Sequence, residues 1–136
     1  MPRVSHLFFR AAILFLIVGI GIGISMSISG NHNVMGAHAH MNLLGWVTSA
    51  IFGGYYALNP GKAEGWVPLT HFAVYTVGVL LMVVSLYFLL AGNPAMEPLV
   101  AAGSIITFVG VLIFAVVVFG PSHDRAGIGR FRAPAE

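Results

Sequence analysis

The sequence predicts an all-α fold, a four-helix transmembrane bundle, and three observations carry that reading. The first is composition: of 136 residues, 58% are hydrophobic and 7% charged, with a mean hydropathy of +0.93, whereas a soluble domain carries about 25% charged residues. The second is segmentation. Residues 7–28, 36–58, 66–91 and 95–119 are apolar stretches, and each reaches the roughly 20 helical residues that cross a hydrocarbon core of about 30 Å. The third is sidedness: Arg3, Arg10, Lys62, Arg125, Arg130 and Arg132 all fall on one side of a four-span chain. The positive-inside rule then makes both termini and the second connection cytoplasmic.

Each predicted span ends on breaker residues. Ser29-Gly30-Asn31 follows the first, Asn59-Pro60-Gly61 the second, Gly92-Asn93-Pro94 the third and Gly120-Pro121 the fourth. Basic residues ahead of an apolar run also fit a secretory signal, but no small-x-small cleavage site follows, so residues 7–28 are read as a helix. Residues 1–120 form one membrane domain, and 121–136 a polar cytoplasmic tail. The expected location is a bacterial or archaeal cytoplasmic membrane. With a formal charge of +2, a lipid bilayer rather than a nucleic acid is the expected partner.

The chain has no cysteine, which excludes disulfides, thiolate metal sites, iron–sulfur clusters and covalent c-type haem attachment. Histidine and methionine remain as metal ligands. The segment Gly36-Ala37-His38-Ala39-His40-Met41-Asn42 places two imidazoles where the second span begins, and ionisable groups at membrane depth are costly enough to imply function. Positions i and i+2 of a helix lie about 200° apart, so His38 and His40 face opposite sides. Such a pair does not clamp one ion; it offers one ligand to each of two neighbouring sites. Asn42 shares the face of His38, where it either orients that ring or a cofactor edge or bonds between helices.

His71, near the start of the third span, lies roughly 20 Å from His40 in depth and reads as an interhelical histidine or a proton or quinone contact. His32, with Met26, Met35 and Met41, clusters at the outer end. Those residues either pack or bind Cu(I), which prefers soft ligands. His6 and His123 carry no expected role. Gly19, Gly21, Gly23, Gly45, Gly53, Gly54, Gly103 and Gly110 allow close helix approach or leave room for a flat macrocycle. Trp46, Tyr55, Tyr56, Trp66 and Tyr75 are expected in interfacial aromatic belts. No catalytic residue is assigned.

Gly36-Ala37-His38-Ala39-His40 followed by Leu43-Leu44-Gly45-Trp46 resembles the His-x-His helix of the haem–copper oxidase superfamily, especially its nitric oxide reductase and C-type oxidase branches. His40-Met41-Asn42-Leu43-Leu44 is also similar to the His-x-Asn-Leu-Leu of the other haem-ligating helix in nitric oxide reductases. That core subunit has twelve helices in three arcs of four, with key histidines on the second helix of an arc. The resemblance implies a single-arc relative whose homotrimer would rebuild the twelve-helix plan. It further implies non-covalent haem b, with His40 and His38 as axial iron ligands and Asn42 beside them. Combined with the diverging faces, it suggests a haem held between His38 of one subunit and His40 of the next.

The match covers about a dozen residues and the helix count. Nothing resembles the family's His-Pro-Glu-Val-Tyr segment or its adjacent histidine pair, and Glu64 and Glu97 fall in connections, so no complete oxygen- or nitric oxide-reducing centre is expected. The expected function is a b-type haem protein for electron transfer with a respiratory redox partner. Haem handling or gas sensing would use the same site. The alternatives are a copper-handling protein using His32, His38, His40 and the outer methionines, and a cofactor-free structural subunit of a respiratory complex.

Overall fold

A run of apolar, helix-compatible residues without internal proline folds into the first long helix, α1 (Arg3–Ser29), which Gly30 ends in the left-handed conformation at φ 67°. This computed structural model describes residues 1–121; the expectations for His123, Arg125, Arg130, Arg132 and the rest of the tail lie outside them. After a short turn, α2 (Met35–His40), a π-helical segment (Met41–Thr48) and α3 (Ser49–Leu58) follow one another. Right-handed helical backbone at His40, Met41, Thr48 and Ser49 joins them into one rod, roughly 35 Å long. A single 3₁₀ turn, Pro60–Lys62, leads towards α4 (Val67–Leu90), which carries proline in its first turn, where no backbone N–H is missed. A second 3₁₀ turn, Pro94–Met96, is held by Asn93, whose side chain accepts from the Ala95 amide, and α5 (Glu97–Phe119) completes the fold.

Every secondary-structure element among the described residues is a helix, and there is no sheet. Three helices, α1, α4 and α5, are individually long and apolar enough to cross a membrane. Their outward faces are lined with Ile13, Ile17, Leu80, Ile105 and Val116, all more than half exposed. That is the inverse of a soluble protein and the expected surface of an integral membrane protein facing lipid. Helix ends fall within a few residues of the predicted apolar stretches except at α1, which begins one turn earlier, at Arg3, and the stretch 36–58 is divided among α2, the π-helical segment and α3.

Small residues set the packing, as expected of helices that gain little hydrophobic drive from association in lipid. A Cβ on Gly103 would stand 2.4 Å from the Met82 backbone nitrogen, and one on Gly78 2.5 Å from that of Thr107. Backbones of α4 and α5 therefore touch, and these two form the tightest pair. On the other side α1 lies along the second rod, with Gly45 beneath the Phe15 ring and Ser5 donating to the Gly53 carbonyl at 2.7 Å. Gly21 and Gly54 meet nothing within 4 Å, and so face outward.

Two features knit the hairpins together. Phe8 of α1, Phe52 and Tyr56 of α3, His71 and Tyr75 of α4 and Phe114 of α5 form one aromatic cluster. Lys62, in the turn before α4, donates to the carbonyl oxygens of Val117 at 2.9 Å and Val118 at 3.3 Å, and to that of Gly120. A cation thus meets the unsatisfied carbonyls at the α5 C-terminus, where the helix dipole favours it.

Candidate functional site at the start of the second rod

The glycines of α1 build the floor of the site. A Cβ on Gly23 would stand 2.9 Å from Cε1 of His38, and one on Gly19 2.7 Å from the Asn42 amide nitrogen. Spaced four apart on one helix face, these two positions let His38 and Asn42 lie flat on the α1 backbone. Nδ1 of His38 is then 2.8 Å from the Gly19 carbonyl oxygen. A carbonyl can only accept, so Nδ1 is the protonated nitrogen, and Nε2 of the neutral ring keeps its lone pair.

His40 repeats the arrangement on the far side of the rod. Its Nδ1 donates to the Gly36 carbonyl at 2.7 Å, while the residue is exposed where His38 is half-buried. Neither Nε2 takes part in a hydrogen bond among the described residues. Tying Nδ1 to a carbonyl while leaving Nε2 open is how proteins fix the tautomer and raise the basicity of a metal-binding imidazole. The two rings point to different sides, as the helical phase requires.

Asn42 donates from Nδ2 to the His38 backbone carbonyl at 2.9 Å. Its 3.4 Å approach to His38 Nδ1 joins two donors and is a contact, not a bond. Asn42 therefore steadies the last α-helical turn from within the π segment. That segment starts directly after His40 and was not foreseen from the sequence. In it Thr48 Oγ1 donates to the Leu43 carbonyl at 2.8 Å, and the Tyr75 hydroxyl of α4 to the Leu44 carbonyl at 3.0 Å. Side chains thus serve carbonyls at a place where the ladder changes from i−4 to i−5, and such π segments concentrate at functional sites.

The remaining candidates separate. His32 is exposed in the turn before α2, with Nδ1 3.2 Å from the Gly30 carbonyl. Met26 and Met41 are buried and packed while Met35 is exposed. Among the described residues no three His, Asp or Glu side chains gather as a metal site. Glycines Gly19, Gly23 and Gly36 are the partners missed as such from the sequence, although the four-residue spacing of the first two was a readable signal.

His71 is not brought to the pair. It is fully buried against Phe52 and Tyr56, which lie some 18–24 Å down the rod from His40. Its Nδ1 is 3.0 Å from the Tyr56 hydroxyl, and Nε2 has no polar partner. Aromatic rings close it in, with Phe52 at 4.7 Å, Phe8 at 4.9 Å and Phe114 at 5.2 Å between centroids. Only weak contact with a ring face is on offer to that nitrogen. The interfacial-belt expectation is corrected for Tyr56 and Tyr75. Both are fully buried, because their hydroxyls find partners inside the bundle, whereas Trp66 stays 73% exposed.

Comparison with known proteins gave no match to any family model, curated protein or solved structure.

Proposed function

We propose that this chain is a small membrane cytochrome b that carries electrons, a single-arc relative of the haem–copper oxidase core. In this reading haem b is held non-covalently near the outer, non-cytoplasmic face of a bacterial or archaeal membrane. His40 is the principal axial ligand and His38 the second, each serving a haem shared with a neighbouring subunit of a homotrimer. The observation that carries the proposal is the pair of Nε2 atoms on opposite sides of one helix, each left open by an Nδ1 bond to a glycine carbonyl.

The donor set fits the group. Haem iron accepts neutral imidazole nitrogen, and the bound haem would supply one-electron Fe(III)/Fe(II) chemistry. The chain's own residues fix the rest. Gly19 and Gly36 hold the ring tautomers, Gly23 gives the His38 ring its place, and Asn42 steadies the turn that carries both histidines. Two histidine ligands leave no open iron position, which favours electron transfer over gas chemistry. Copper handling would draw on His32 and the methionines, of which Met26 and Met41 are buried in packing.

The decisive measurement is the visible spectrum of the purified protein with its iron and copper content. Low-spin b-type bands on dithionite reduction, with about one iron per chain, are expected. A colourless protein from haem-replete cells overturns the reading; stoichiometric copper would replace it with the copper alternative. Intact folding and partner binding without any cofactor would leave a structural subunit.

A further inference from the structure

One face of α1 is organised for a different ligand. Arg3, His6 and Arg10 are all exposed and, at spacings of three and four, lie along one stripe of the helix. Among the described residues none of the three side chains has a hydrogen bond or ion pair, and α1 contains no acidic residue. An open groove of about 480 Å³ is lined by Met1, Arg3, His6, Leu7 and Arg10. A second, of about 520 Å³, is lined by His6, Phe9, Arg10, Ile13 and Leu14. Because His6 and Arg10 line both, the grooves run together from a cationic end to an aliphatic one. The same stripe continues as Ile17, Ile24 and Ile28, each more than half exposed.

We propose that this stripe is a binding site for an anionic glycerophospholipid. The phosphodiester sits among Arg3, His6 and Arg10, and an acyl chain lies along Phe9, Ile13, Leu14 and Ile17. Charge and shape together select this occupant. Arg3 and Arg10 are about 10 Å apart along the axis, so Arg10 reaches up from the hydrocarbon edge, its stem covered by acyl chain and its guanidinium at headgroup level. Guanidinium is the side chain best suited to bracket phosphate. With no carboxylate on α1, a zwitterionic headgroup finds no partner for its cation there. The inference does not rest on haem.

The test is native mass spectrometry and lipid-exchange measurement on the full-length protein in mixed phosphatidylglycerol and phosphatidylcholine. Retained phosphatidylglycerol is expected to exceed phosphatidylcholine by roughly fivefold per arginine, the factor given by the attraction of one basic residue for an anionic leaflet. The preference should fall towards unity in the Arg3→Gln/Arg10→Gln variant and survive in Arg10→Lys at reduced strength. Far-UV circular dichroism checks that the variants keep their helices. On the unaltered protein, 1 M salt should weaken the preference, since the Debye length drops to about 3 Å. Equal retention of both lipids by the unaltered protein overturns the proposal, as does undiminished preference in the double variant. Displacement of the lipid by inorganic phosphate at comparable concentration would also overturn it, by showing that the aliphatic rail contributes nothing.

Discussion

An imidazole has two nitrogens, and the bond made at one fixes what the other can do. At His38 and His40 the inner nitrogen meets a glycine carbonyl at 2.8 and 2.7 Å, so the outer one is left as a donor of electrons. At His71 the surroundings are inverted, with one nitrogen on a phenol and the other shut among rings. The haem reading therefore predicts that His40→Ala loses the low-spin bands of the reduced protein. His71→Ala should keep those bands while opening a cavity in the aromatic cluster, at a cost of about 2–4 kcal/mol. Visible spectra paired with thermal unfolding separate the two effects. A spectrum dependent on His71 and indifferent to His40 would reverse the ligand assignment.

Among the elements, the second rod and the α4–α5 pair are governed by different constraints. Residues 41–48 leave the α-helical ladder, and carbonyls at Leu43 and Leu44 are served by Thr48 and Tyr75. The histidine turn is thereby held to α4 as well as to α1. The α4–α5 pair depends instead on absent side chains at Gly78 and Gly103. Replacing Gly103 by leucine forces the two backbones apart, and a loss of about 2–3 kcal/mol is expected from overpacking. Denaturant titration in detergent measures it. Near-neutral stability would show that the pair tolerates a wider spacing than these contacts imply.

For the whole molecule, diverging ligands make the proposed site a property of the assembly. If a haem bridges His38 of one subunit and His40 of the next around a three-fold axis, neither His38→Ala nor His40→Ala alone leaves an intact site. A trimer mixing the two variants regains one intact interface in three, because one adjacent pair then joins an unaltered His38 to an unaltered His40. Co-expression of the two variants should restore about a quarter to a third of the low-spin signal, read against native mass spectra of the mixed trimers. Absence of any restoration in trimers shown to be mixed would place both ligands of a haem within one subunit.

The helical class, the low charge and the positions of the apolar stretches were legible in the linear pattern, because a membrane helix is specified by local hydropathy and its backbone bonds close within the segment. His38, His40 and Asn42 were legible for a related reason: helical phase follows from residue spacing alone. The Gly19 carbonyl that fixes the His38 ring, the π segment below it, and the burial of Tyr56, Tyr75 and His71 were not. These depend on which helices approach and at what height, and Gly19 becomes a partner of His38 only when α1 lies against the second rod. By itself the sequence determined the apolar helices and the opposed directions of the two histidines. Only the tertiary structure decided which nitrogen of His38 is open, since its bond to Gly19 joins two helices and is set by packing, whereas the bond of His40 to Gly36 closes within one turn of its own helix.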